Sequence, residues 1–549
     1  MNMNEPTTPI HTLRSQNSAY RPHGSTLRGA EFPPKSSLFE GKFGRMFRTL
    51  PAATFSEAAL EALGKAMTAE FEEDGPTPET EVDDEENTGI AAGYTYLGQF
   101  IDHDLTFDPA SSLQKNNDPE ALEDFRTPRF DLDSIYGRGP DDQPYLYRDD
   151  AVHMLLGRKV TGSAFDQNTR DVLRNIPESG EPARALIGDP RNDENTIVSQ
   201  LQSTVLRFHN RVVDFLTKRD GSIPKFEKVQ QEVRWHYQWL ILHDFLPTII
   251  GKETLYSVLP QLKEEADGLC FHSFTPNLKF FKWKEEPFIP VEFAVAAYRF
   301  GHSMVRPIYR LNTSNSDRFF IFPVKDKDGK FTDGLTGFKS FPEDRAVDWT
   351  LFFYIEDRPK LGSNRIQPAY KIDTSLVNPL GFLPPSVAKD IPSLAERNLK
   401  RGLRMGLPSG QAVARLMGIP IIPDEQLLVG KANAADGANN QAITKISSEF
   451  SNNAPLWYYI LAEAQQEVQK AAQHLPQNPT NEQKDKVNNI PVRLGPVGGR
   501  IVGEVFVGLL YGDSHSYLRQ YPGWKPIPEF CRNGHFGIAE LILQAKESK

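Results

Sequence analysis

The chain has 549 residues, of which 39% are hydrophobic and 24% are charged, and its formal net charge is −10. This acidic balance, together with the lack of a long basic run, excludes nucleic acid as the main partner. Two cysteines, Cys270 and Cys531, are too few for a disulfide framework, so a large core or a bound group must hold the fold together.

Residues 1–40 are polar and rich in proline and serine, which predicts a loosely ordered N-terminal arm. The arm has no apolar stretch like that of a secretory leader, so we expect a protein that is cytoplasmic or is exported without a standard signal peptide. Residues 41–90 are interpreted as an entry segment that contains a solvated acidic loop, residues 70–87. Charged residues and proline interrupt the longer apolar runs, so no membrane span is predicted.

Residues 91–549 are expected to form one large, mainly α-helical domain with very little β structure. In four segments the apolar residues recur at spacings of three and four, which is the periodicity of a helix with one buried face. These predicted helices cover residues 198–218, 226–246, 290–305 and 455–473. The best strand pattern covers residues 317–324.

The stretch GQFIDHDLTF, residues 98–107, places three adjacent titratable residues among apolar neighbours. On a helix, Gln99 and His103 lie one turn apart on one face, and Asp102 lies beside them. Asp104 then points about 100° further round. We interpret His103 as a base that Gln99 assists on the same helix face, and Asp104 as a ligand of another group. A buried histidine with only a structural hydrogen bond is the alternative.

Two further segments hold candidate site residues. In predicted helix 290–305, Arg299 and His302 are three residues apart in an otherwise apolar sequence. A buried arginine needs an acidic partner, and a buried histidine needs a hydrogen bond or a metal. In the segment GDPRNDE, residues 188–194, Arg191 and Glu194 share one face of a helix start.

The segment TPRFDLDSIYG, residues 127–137, carries Asp131 and Asp133. In an extended chain both carboxylates project to one side. The segment is not an EF-hand, because Ile135 occupies the third ligand position and the required glycine and closing glutamate are missing. It still predicts a hard-cation site with oxygen ligands if Asp104 joins it from the helix.

Together with RNLKRGLRMGLPSG, residues 397–410, these segments resemble, in order, five motifs of the animal-type haem peroxidases of the peroxidase–cyclooxygenase superfamily. The resemblance covers roughly residues 90–530 and implies a large single-domain helical haem peroxidase fold. It also implies reduction of hydrogen peroxide through a ferryl intermediate and oxidation of a small donor, namely halide, thiocyanate or a phenol. The scarcity of cysteine favours a bacterial-type member, because the animal enzymes carry several disulfides.

On the proximal side, the resemblance implies that His302 coordinates the iron of haem b. Asn398 would accept a hydrogen bond from the other ring nitrogen, which would make the imidazole a more basic ligand. Arg299 and Arg401 would lie near the haem edge, where their charge can offset that of the propionates, and a purely structural role is the alternative for both.

On the distal side, the resemblance assigns His103 as the acid and base that moves a proton between the two peroxide oxygens. Its ordinary pKa near 6.5 leaves it neutral at pH 7. Arg191 would stabilise the negative charge that builds as the O–O bond breaks, because it stays protonated. Gln99 would line the pocket that holds peroxide, water or halide.

Asp102 and Glu194 match carboxylates that can form ester bonds to the haem methyl groups in this family, and non-covalent hydrogen bonding is the alternative for both. The third link of one member, a sulfonium bond, is excluded because Asn195 stands where a methionine is needed.

The resemblance also implies a Ca²⁺ ion bound by residues of the helix and of the loop 127–137. Because Asp104 directly follows His103, the ion would fix the catalytic helix to the loop. The implied ligands are Asp104, Thr127, Arg129 through its carbonyl, Asp131 and Asp133.

Two alternatives remain. A fatty-acid dioxygenase of the same superfamily uses a tyrosine three residues before the proximal histidine, but Arg299 holds that position here. Tyr298 would point about 100° away on a helix. A haem-free, calcium-stabilised binding protein would need a broken distal or proximal pair. Both pairs are present, His103 with Arg191 and His302 with Asn398.

Overall fold

A computed structural model describes residues 41–70, 83–106, 123–124, 127–266, 273–284, 286–314, 318–324, 333–384, 387–388 and 390–548. The predicted N-terminal arm, most of the predicted acidic loop and Cys270 lie outside these ranges. About 44% of the structure is helical and 8% is strand, which confirms the mainly α prediction.

The helices are distributed along the whole described chain. The α-helices are α1 Glu57–Ala66, α2 Gly93–Leu105, α3 Asp133–Tyr136, α4 Thr196–Asp220, α5 Phe226–Leu240, α6 Leu246–Ile250, α7 Lys252–Val258, α8 Gln261–Ala266, α9 Val291–Ala294, α10 Asn378–Gly381, α11 Leu394–Arg404, α12 Gly410–Met417, α13 Leu456–Ala464, α14 Gln466–Gln473, α15 Asn481–Asn488, α16 Pro496–Gly512, α17 Tyr517–Gln520 and α18 Ile538–Lys546. The 3₁₀-helices include Pro190–Asp193 and Ala297–His302, and Ile241–Phe245 is a π-helix.

The strands are short and form small sheets between the helices. They are β1 Gly41–Gly44, β2 Glu86–Ala91, β3 Glu123–Asp124, β4 Ile289–Pro290, β5 Ile308–Tyr309, β6 Phe319–Phe320, β7 Pro368–Tyr370, β8 Leu428–Val429 and β9 Gln441–Ala442. Strand β1 lies between antiparallel β3 and parallel β4, while β2 pairs with β7, β5 with β6 and β8 with β9, all antiparallel. The predicted strand 317–324 is thus reduced to β6. Strand β2 was not predicted, because its sequence ENTGIA has no regular alternation.

The predicted helix 198–218 is confirmed as part of α4. Asn195 caps this helix, since its Oδ1 accepts hydrogen bonds from the backbone N–H groups of Ile197 and Val198 at 3.1 and 2.9 Å. The helix ends at Gly221, whose φ of 76° is in the left-handed region that glycine adopts most easily. Helix 226–246 is found as α5, but its last turn is the π-helix.

The predicted helix 290–305 is wrong as a single element. The chain forms α9, breaks at Ala296 with φ −128° and ψ −71°, and continues as the 3₁₀-helix that ends at His302. The carboxylate of Glu292, which is buried, accepts hydrogen bonds from the backbone N–H groups of Met46 and Phe47 at 3.0 and 3.2 Å. This contact ties α9 to the N-terminal segment of the described chain.

The predicted helix 455–473 is likewise two helices, α13 and α14, with Gln465 between them. Gln465 is fully buried, and its side chain donates a hydrogen bond to the carbonyl of Leu428 at 2.8 Å. A tertiary contact therefore interrupts a pattern that is periodic in the sequence.

The core lies around α16, which is buried along most of its length and packs against α6, α7, α9, α13 and the 3₁₀-helix Ala297–His302. Helix α4 packs against α2, α5 and α18. Helix α2 also contacts Ala297–His302, so the two predicted histidine segments are neighbours. Within the described ranges, no helix combines the length and the apolar character needed to cross a membrane.

Candidate active site

A cavity of about 600 Å³ lies between α2 and the 3₁₀-helix Ala297–His302. Eight of the predicted site residues line it, namely Gln99, Asp102, His103, Arg191, Glu194, Arg299, His302 and Arg401. Residues from four separate segments of the sequence therefore meet at one place.

His103 is buried on α2, and its Nδ1 lies 2.7 Å from Oδ1 of Asn192. The other end of the Asn192 amide donates to Oε1 of Gln202 at 2.8 Å, so Oδ1 accepts the proton of Nδ1. The lone pair of the histidine is then on Nε2, which lies 4.0 Å from Oε1 of Glu194 at the cavity. Burial and the neighbouring Arg191 lower the pKa of His103 to about 4, so the ring is neutral near pH 7.

Arg191 lies in the 3₁₀-helix Pro190–Asp193, and Asp189 fixes both its backbone and its side chain. Oδ1 of Asp189 accepts from the backbone N–H of Arg191 at 2.9 Å, and Nη2 of Arg191 donates to Oδ2 of Asp189 at 2.7 Å. The same Nη2 donates to the carbonyl of His103 at 2.9 Å. The guanidinium is therefore held beside the distal histidine at the cavity wall.

The two carboxylates predicted to form esters both face the cavity. Glu194 accepts a hydrogen bond from Nε2 of Gln99, and Oε1 of Gln99 accepts from Asn195 at 3.2 Å. Burial raises the pKa of Glu194 to about 7, although Arg191 opposes the shift. Oδ1 of Asp102 accepts a hydrogen bond of 3.4 Å from Thr106.

On the other side of the site, Nδ1 of His302 lies 2.8 Å from the amide nitrogen of Asn398, on α11. The predicted contact is present, but in this orientation the amide donates, whereas the sequence predicted that it accepts. Rotating the amide by 180° exchanges its oxygen and nitrogen and gives the predicted direction. Burial and Arg299 lower the pKa of His302 to about 3, so this ring is also neutral near pH 7.

The expectation for Tyr298 was wrong. The sequence predicted an α-helix on which Tyr298 points about 100° away from position 299, but the segment is a 3₁₀-helix and both residues line the cavity. The phenol of Tyr298 donates a hydrogen bond to the carbonyl of Gly98 at 3.2 Å. The position of this side chain therefore gives no argument against the dioxygenase alternative.

The residues of the predicted cation site also lie close together. Carboxylate oxygens of Asp104, Asp131 and Asp133 all lie within 4.8 Å of one another, and Asp104 is fully buried. Thr127 donates to Oδ2 of Asp131 at 2.7 Å, and Arg129 lies in the same loop, where its backbone N–H donates to the carbonyl of Thr127 at 2.8 Å.

The extended geometry expected for this loop was wrong. Between the two aspartates the backbone of Leu132 is left-handed, with φ 57° and ψ 35°, and α3 begins at Asp133. Oδ2 of Asp104 accepts from the backbone N–H of Leu132 at 3.2 Å, so the tight turn is fastened to α2. The carboxylates converge through this turn rather than through strand alternation.

The cation loop also contacts the distal-arginine segment. A Cβ atom at Gly188 would lie 2.5 Å from the carbonyl of Ser134 and 2.8 Å from that of Asp133, so only glycine allows this approach. Gly188 precedes Asp189, which holds Arg191. The loop is thus joined to both distal residues, to His103 through Asp104 and to Arg191 through Gly188.

Sequence reasoning missed Asn192 and Asp189 as functional residues. Asp189 had a usable signal, because an aspartate before proline at a helix start is a frequent cap. Asn192 had none, since its partner His103 is 89 residues away in the sequence.

The sequence model of the family described as "Animal haem peroxidase" matches residues 115–422, more than half of the chain. The match includes Arg191, His302, Asn398 and Arg401, whereas His103 precedes it. Peroxidasin from Drosophila melanogaster is 24% identical over 290 residues, which are 52% of this chain and 17% of that protein. The chain thus corresponds to less than a fifth of the length of this relative.

Solved structures of other proteins share the fold. Peroxidase A from Dictyostelium discoideum aligns with a TM-score of 0.53 and 15% identity, covering 91% of this chain and 94% of that one. The fatty acid alpha-dioxygenase of Oryza sativa, in a structure with palmitic acid, aligns with a TM-score of 0.52 and 13% identity over 91% and 78% of the two chains. From the extent of the sequence match, the chain belongs to the animal haem peroxidase family.

Proposed function

We propose that this protein is a haem-dependent peroxidase that reduces hydrogen peroxide and oxidises a small electron donor. Halide, thiocyanate and phenols are the candidate donors. The observation that carries the proposal is one cavity of about 600 Å³ with two neutral histidines on its wall, His103 and His302. Each histidine has one ring nitrogen held by an asparagine, which leaves the other for chemistry.

The side chains around the cavity fit haem b. His302 offers a ring nitrogen as an axial ligand, with Asn398 supporting it from behind. Arg299 and Arg401 supply positive charge at the cavity wall for the two propionates. Apolar side chains for the macrocycle come from Val291, Ala294, Val295, Phe300, Leu383 and Leu394.

When bound, the haem iron would supply the redox chemistry, by taking up the oxidising equivalents of peroxide and passing them to the donor. His103 accepts the proton of peroxide at Nε2 and returns it to the departing oxygen. Asn192 keeps Nδ1 protonated, so the lone pair stays on Nε2. Arg191, anchored by Asp189, donates hydrogen bonds to the negative charge that develops between the oxygens.

We also propose Ca²⁺ as the ion of the aspartate cluster. Three carboxylates within 4.8 Å repel one another, and a hard cation with oxygen ligands removes that repulsion. Asp104, Asp131 and Asp133 supply the carboxylate ligands, while Thr127 and the carbonyl of Arg129 are the further candidates in the loop. The ion would hold α2, and hence His103, in a fixed position relative to the loop.

Ester bonds from Asp102 and Glu194 to the haem are a further part of the proposal. Both carboxylates line the cavity. The raised pKa of Glu194, about 7, gives it a substantial fraction of the carboxylic acid form near neutral pH.

The distal pair is tested with His103→Ala and Arg191→Leu in haem-loaded protein, mixed rapidly with hydrogen peroxide and followed by haem absorbance. Each variant should bind haem but react with peroxide more slowly, by roughly 10²–10⁴-fold for the loss of acid–base catalysis. His474→Ala, which removes an exposed histidine on the surface, is the matched control and should react at the wild-type rate.

Two results would contradict the proposal. If both distal variants react within threefold of wild type, the assignment of His103 and Arg191 is wrong. If the purified protein takes up no haem and shows no Soret band after incubation with haemin, the haem peroxidase function itself is wrong.

A fatty-acid dioxygenase is the second candidate, and the position of Tyr298 at the cavity wall favours it. The shared fold with the rice dioxygenase is compatible with both candidates. Oxygen uptake with palmitate, in the presence of catalytic peroxide, separates them. If the protein is a dioxygenase, it should take up oxygen when palmitate is present, and Tyr298→Phe should abolish this uptake. If it is a peroxidase, it should consume peroxide and leave palmitate unchanged.

A further inference from the structure

We propose that Tyr94, paired with Asp244, relays single electrons from the surface residue Tyr354 to the haem cavity, so that the protein oxidises donors too large to enter the cavity. The inference rests on the proposed peroxidase function and adds a second, surface site for electron donors. Three side chains carry it, and they lie in three different segments of the chain.

Tyrosines on the cavity wall are the candidates for such a relay. Three of them line it, namely Tyr94, Tyr96 and Tyr298. They differ in what receives the phenolic hydrogen. Tyr298 donates to the backbone carbonyl of Gly98, and the ring of Tyr96 packs against Tyr309 with centroids 5.5 Å apart.

Tyr94 alone among these three donates to a carboxylate, Oδ1 of Asp244, at 2.5 Å. The difference matters because a phenol that loses an electron becomes a strong acid and must also lose its proton. A carbonyl oxygen or another phenol is a poor proton acceptor, whereas a carboxylate accepts the proton directly along the existing hydrogen bond. Tyr94 is therefore the cavity tyrosine whose oxidation the protein supports.

The environment of Asp244 suits this role. It lies in the π-helix Ile241–Phe245, and helical irregularities of this kind are frequent at functional sites. Its Oδ2 accepts from the backbone N–H of Ile538 at 2.7 Å, so the carboxylate is held in place. Burial raises the pKa of Asp244, which makes it a better proton acceptor than an exposed carboxylate.

A path to the surface begins at the same tyrosine. The ring of Tyr94 packs edge-on against Phe353 with centroids 5.5 Å apart, and the next residue, Tyr354, is 49% exposed. Tyr354 is among the groups that raise the pKa of Tyr94, after burial and Asp244. An electron can therefore pass from a donor at the surface to Tyr354 and on to Tyr94 without the donor entering the cavity.

Electrons and protons balance in the relay step. With haem bound and oxidised by peroxide, Tyr94 would give the haem one electron and pass its phenolic proton to Asp244. The products are a neutral phenoxyl radical and a carboxylic acid. One electron from Tyr354 and the proton returned by Asp244 restore the phenol of Tyr94. The exposed Tyr354 releases its own phenolic proton to solvent as it becomes a radical, and one electron from the external donor and one proton from solvent restore it. Two such cycles use the two oxidising equivalents of one hydrogen peroxide.

The first test locates the radical by a nitroso spin trap and peptide mass spectrometry, with haem-loaded protein and one equivalent of hydrogen peroxide. We expect a trap adduct on Tyr354, at least tenfold less of it in Tyr94→Phe, and an unchanged amount in the control Tyr458→Phe, which changes a buried tyrosine outside the cavity lining. An adduct on Tyr354 that is undiminished in Tyr94→Phe, or no adduct on either relay tyrosine in wild type, would overturn the relay.

The second test compares donors by size. Ferrocytochrome c is far too large for a cavity of about 600 Å³, whereas bromide is small enough. Tyr354→Phe should lower the rate of cytochrome oxidation at least tenfold and leave bromide oxidation within twofold of wild type. Equal cytochrome rates in the variant and the wild type would refute the surface site.

The third test needs neither haem nor peroxide, so it separates failure of the relay from failure of the peroxidase function. The apoprotein is oxidised by photogenerated tris(bipyridine)ruthenium(III) in the presence of the same trap. We expect adducts on Tyr354 and on Tyr94, and a loss of the Tyr94 adduct of at least fivefold in the near-isosteric Asp244→Asn. Undiminished trapping at Tyr94 in that variant would rule out Asp244 as the proton acceptor.

Discussion

Nδ1 of His103 lies 2.7 Å from Oδ1 of Asn192, and this contact fixes which nitrogen of the distal histidine can act as a base. The two residues belong to different segments, α2 and the 3₁₀-helix that carries Arg191. Asn192 therefore couples the positions of the predicted base and the predicted cation, and it keeps the Nε2 lone pair at the cavity.

Replacement of Asn192 should change the pH dependence as well as the rate of the reaction with peroxide. His103 has a pKa of about 4, so in wild type the rate should fall only as the pH drops through about 4. Asn192→Leu removes an interaction that raises this pKa, so the fall should move to lower pH. We expect the rate above pH 5 to drop by about 10–100-fold, as for other residues that orient a ligand or base.

Asn192→Asp provides the matched comparison, because it keeps an acceptor at Nδ1 and adds a negative charge that raises the pKa of His103. Its rate should fall at a higher pH than that of wild type. Stopped-flow rates between pH 3.5 and 8 measure both effects. Identical profiles for the three proteins would show that Asn192 does not act on His103.

The cation site should affect both stability and rate. Asp131→Ala, or prolonged chelation, should lower the melting temperature and slow the reaction with peroxide by about 10²-fold, since a displacement of about 1 Å at His103 is enough for such a loss. Binding of haem should persist at first. Elemental analysis, melting curves and steady-state rates check this, with the exposed Asp142→Ala as the control. A protein isolated without calcium, or one fully active after verified removal, would contradict it.

The proximal pair can be tested through haem affinity. His302→Ala should lose haem or its histidine-ligated spectrum. Asn398→Leu should weaken haem binding by about 10–100-fold. Asn398→Asp decides the direction of the hydrogen bond, because a carboxylate can only accept: it should bind haem like wild type if Asn398 accepts from His302, and like the leucine variant if Asn398 donates. Haem titration of the apoproteins gives the affinities.

Covalent attachment of the haem should depend on two carboxylates. After turnover with peroxide, part of the haem should remain on the polypeptide through acidified organic extraction, and mass spectrometry should locate it on peptides containing Asp102 and Glu194. The double variant Asp102→Asn, Glu194→Gln should release all of it. Complete extraction from the wild-type protein after turnover would show that no esters form.

A buried ion cluster around Glu86 predicts a large effect on stability. Glu86, on β2, pairs with Arg306 at 2.8 Å and with Arg365 at 2.5 Å, and all three side chains are nearly inaccessible. Glu86→Gln leaves the two guanidinium groups without their carboxylate and should lower the free energy of unfolding by about 3–5 kcal/mol. Glu482→Gln, in the exposed ion pair with Lys486, should have little effect. Urea denaturation of the apoproteins gives both values.

Much of the active site was predictable because its signals are local. Helical spacing placed Gln99 and His103 on one face of α2 and Asp104 on another, and the structure has this arrangement. The three-residue spacing of Arg191 and Glu194 put both on one face of a helix start, and both line the cavity. Resemblance to known motifs supplied the pairing of His302 with Asn398. In each case the chemistry depends on residues that are close in the sequence or that belong to a recognisable motif.

The tertiary structure decided what depends on distant contacts. Periodicity predicted one helix from 290 to 305, but the chain breaks at Ala296 after α9, whose Glu292 contacts a distant segment, and Tyr298 in the following 3₁₀-helix lines the cavity. The loop of Asp131 and Asp133 converges through a left-handed turn that no alternation pattern encodes. The partner of His103, Asn192, is 89 residues away in the sequence, and the partner of Tyr94, Asp244, is 150 residues away.

The sequence by itself determined which residue types are available for the chemistry, because local periodicity and motifs are set by neighbouring residues. Only the folded chain determined which nitrogen carries a proton and which tyrosine has an acceptor, because hydrogen bonds between distant segments form only when the core packs.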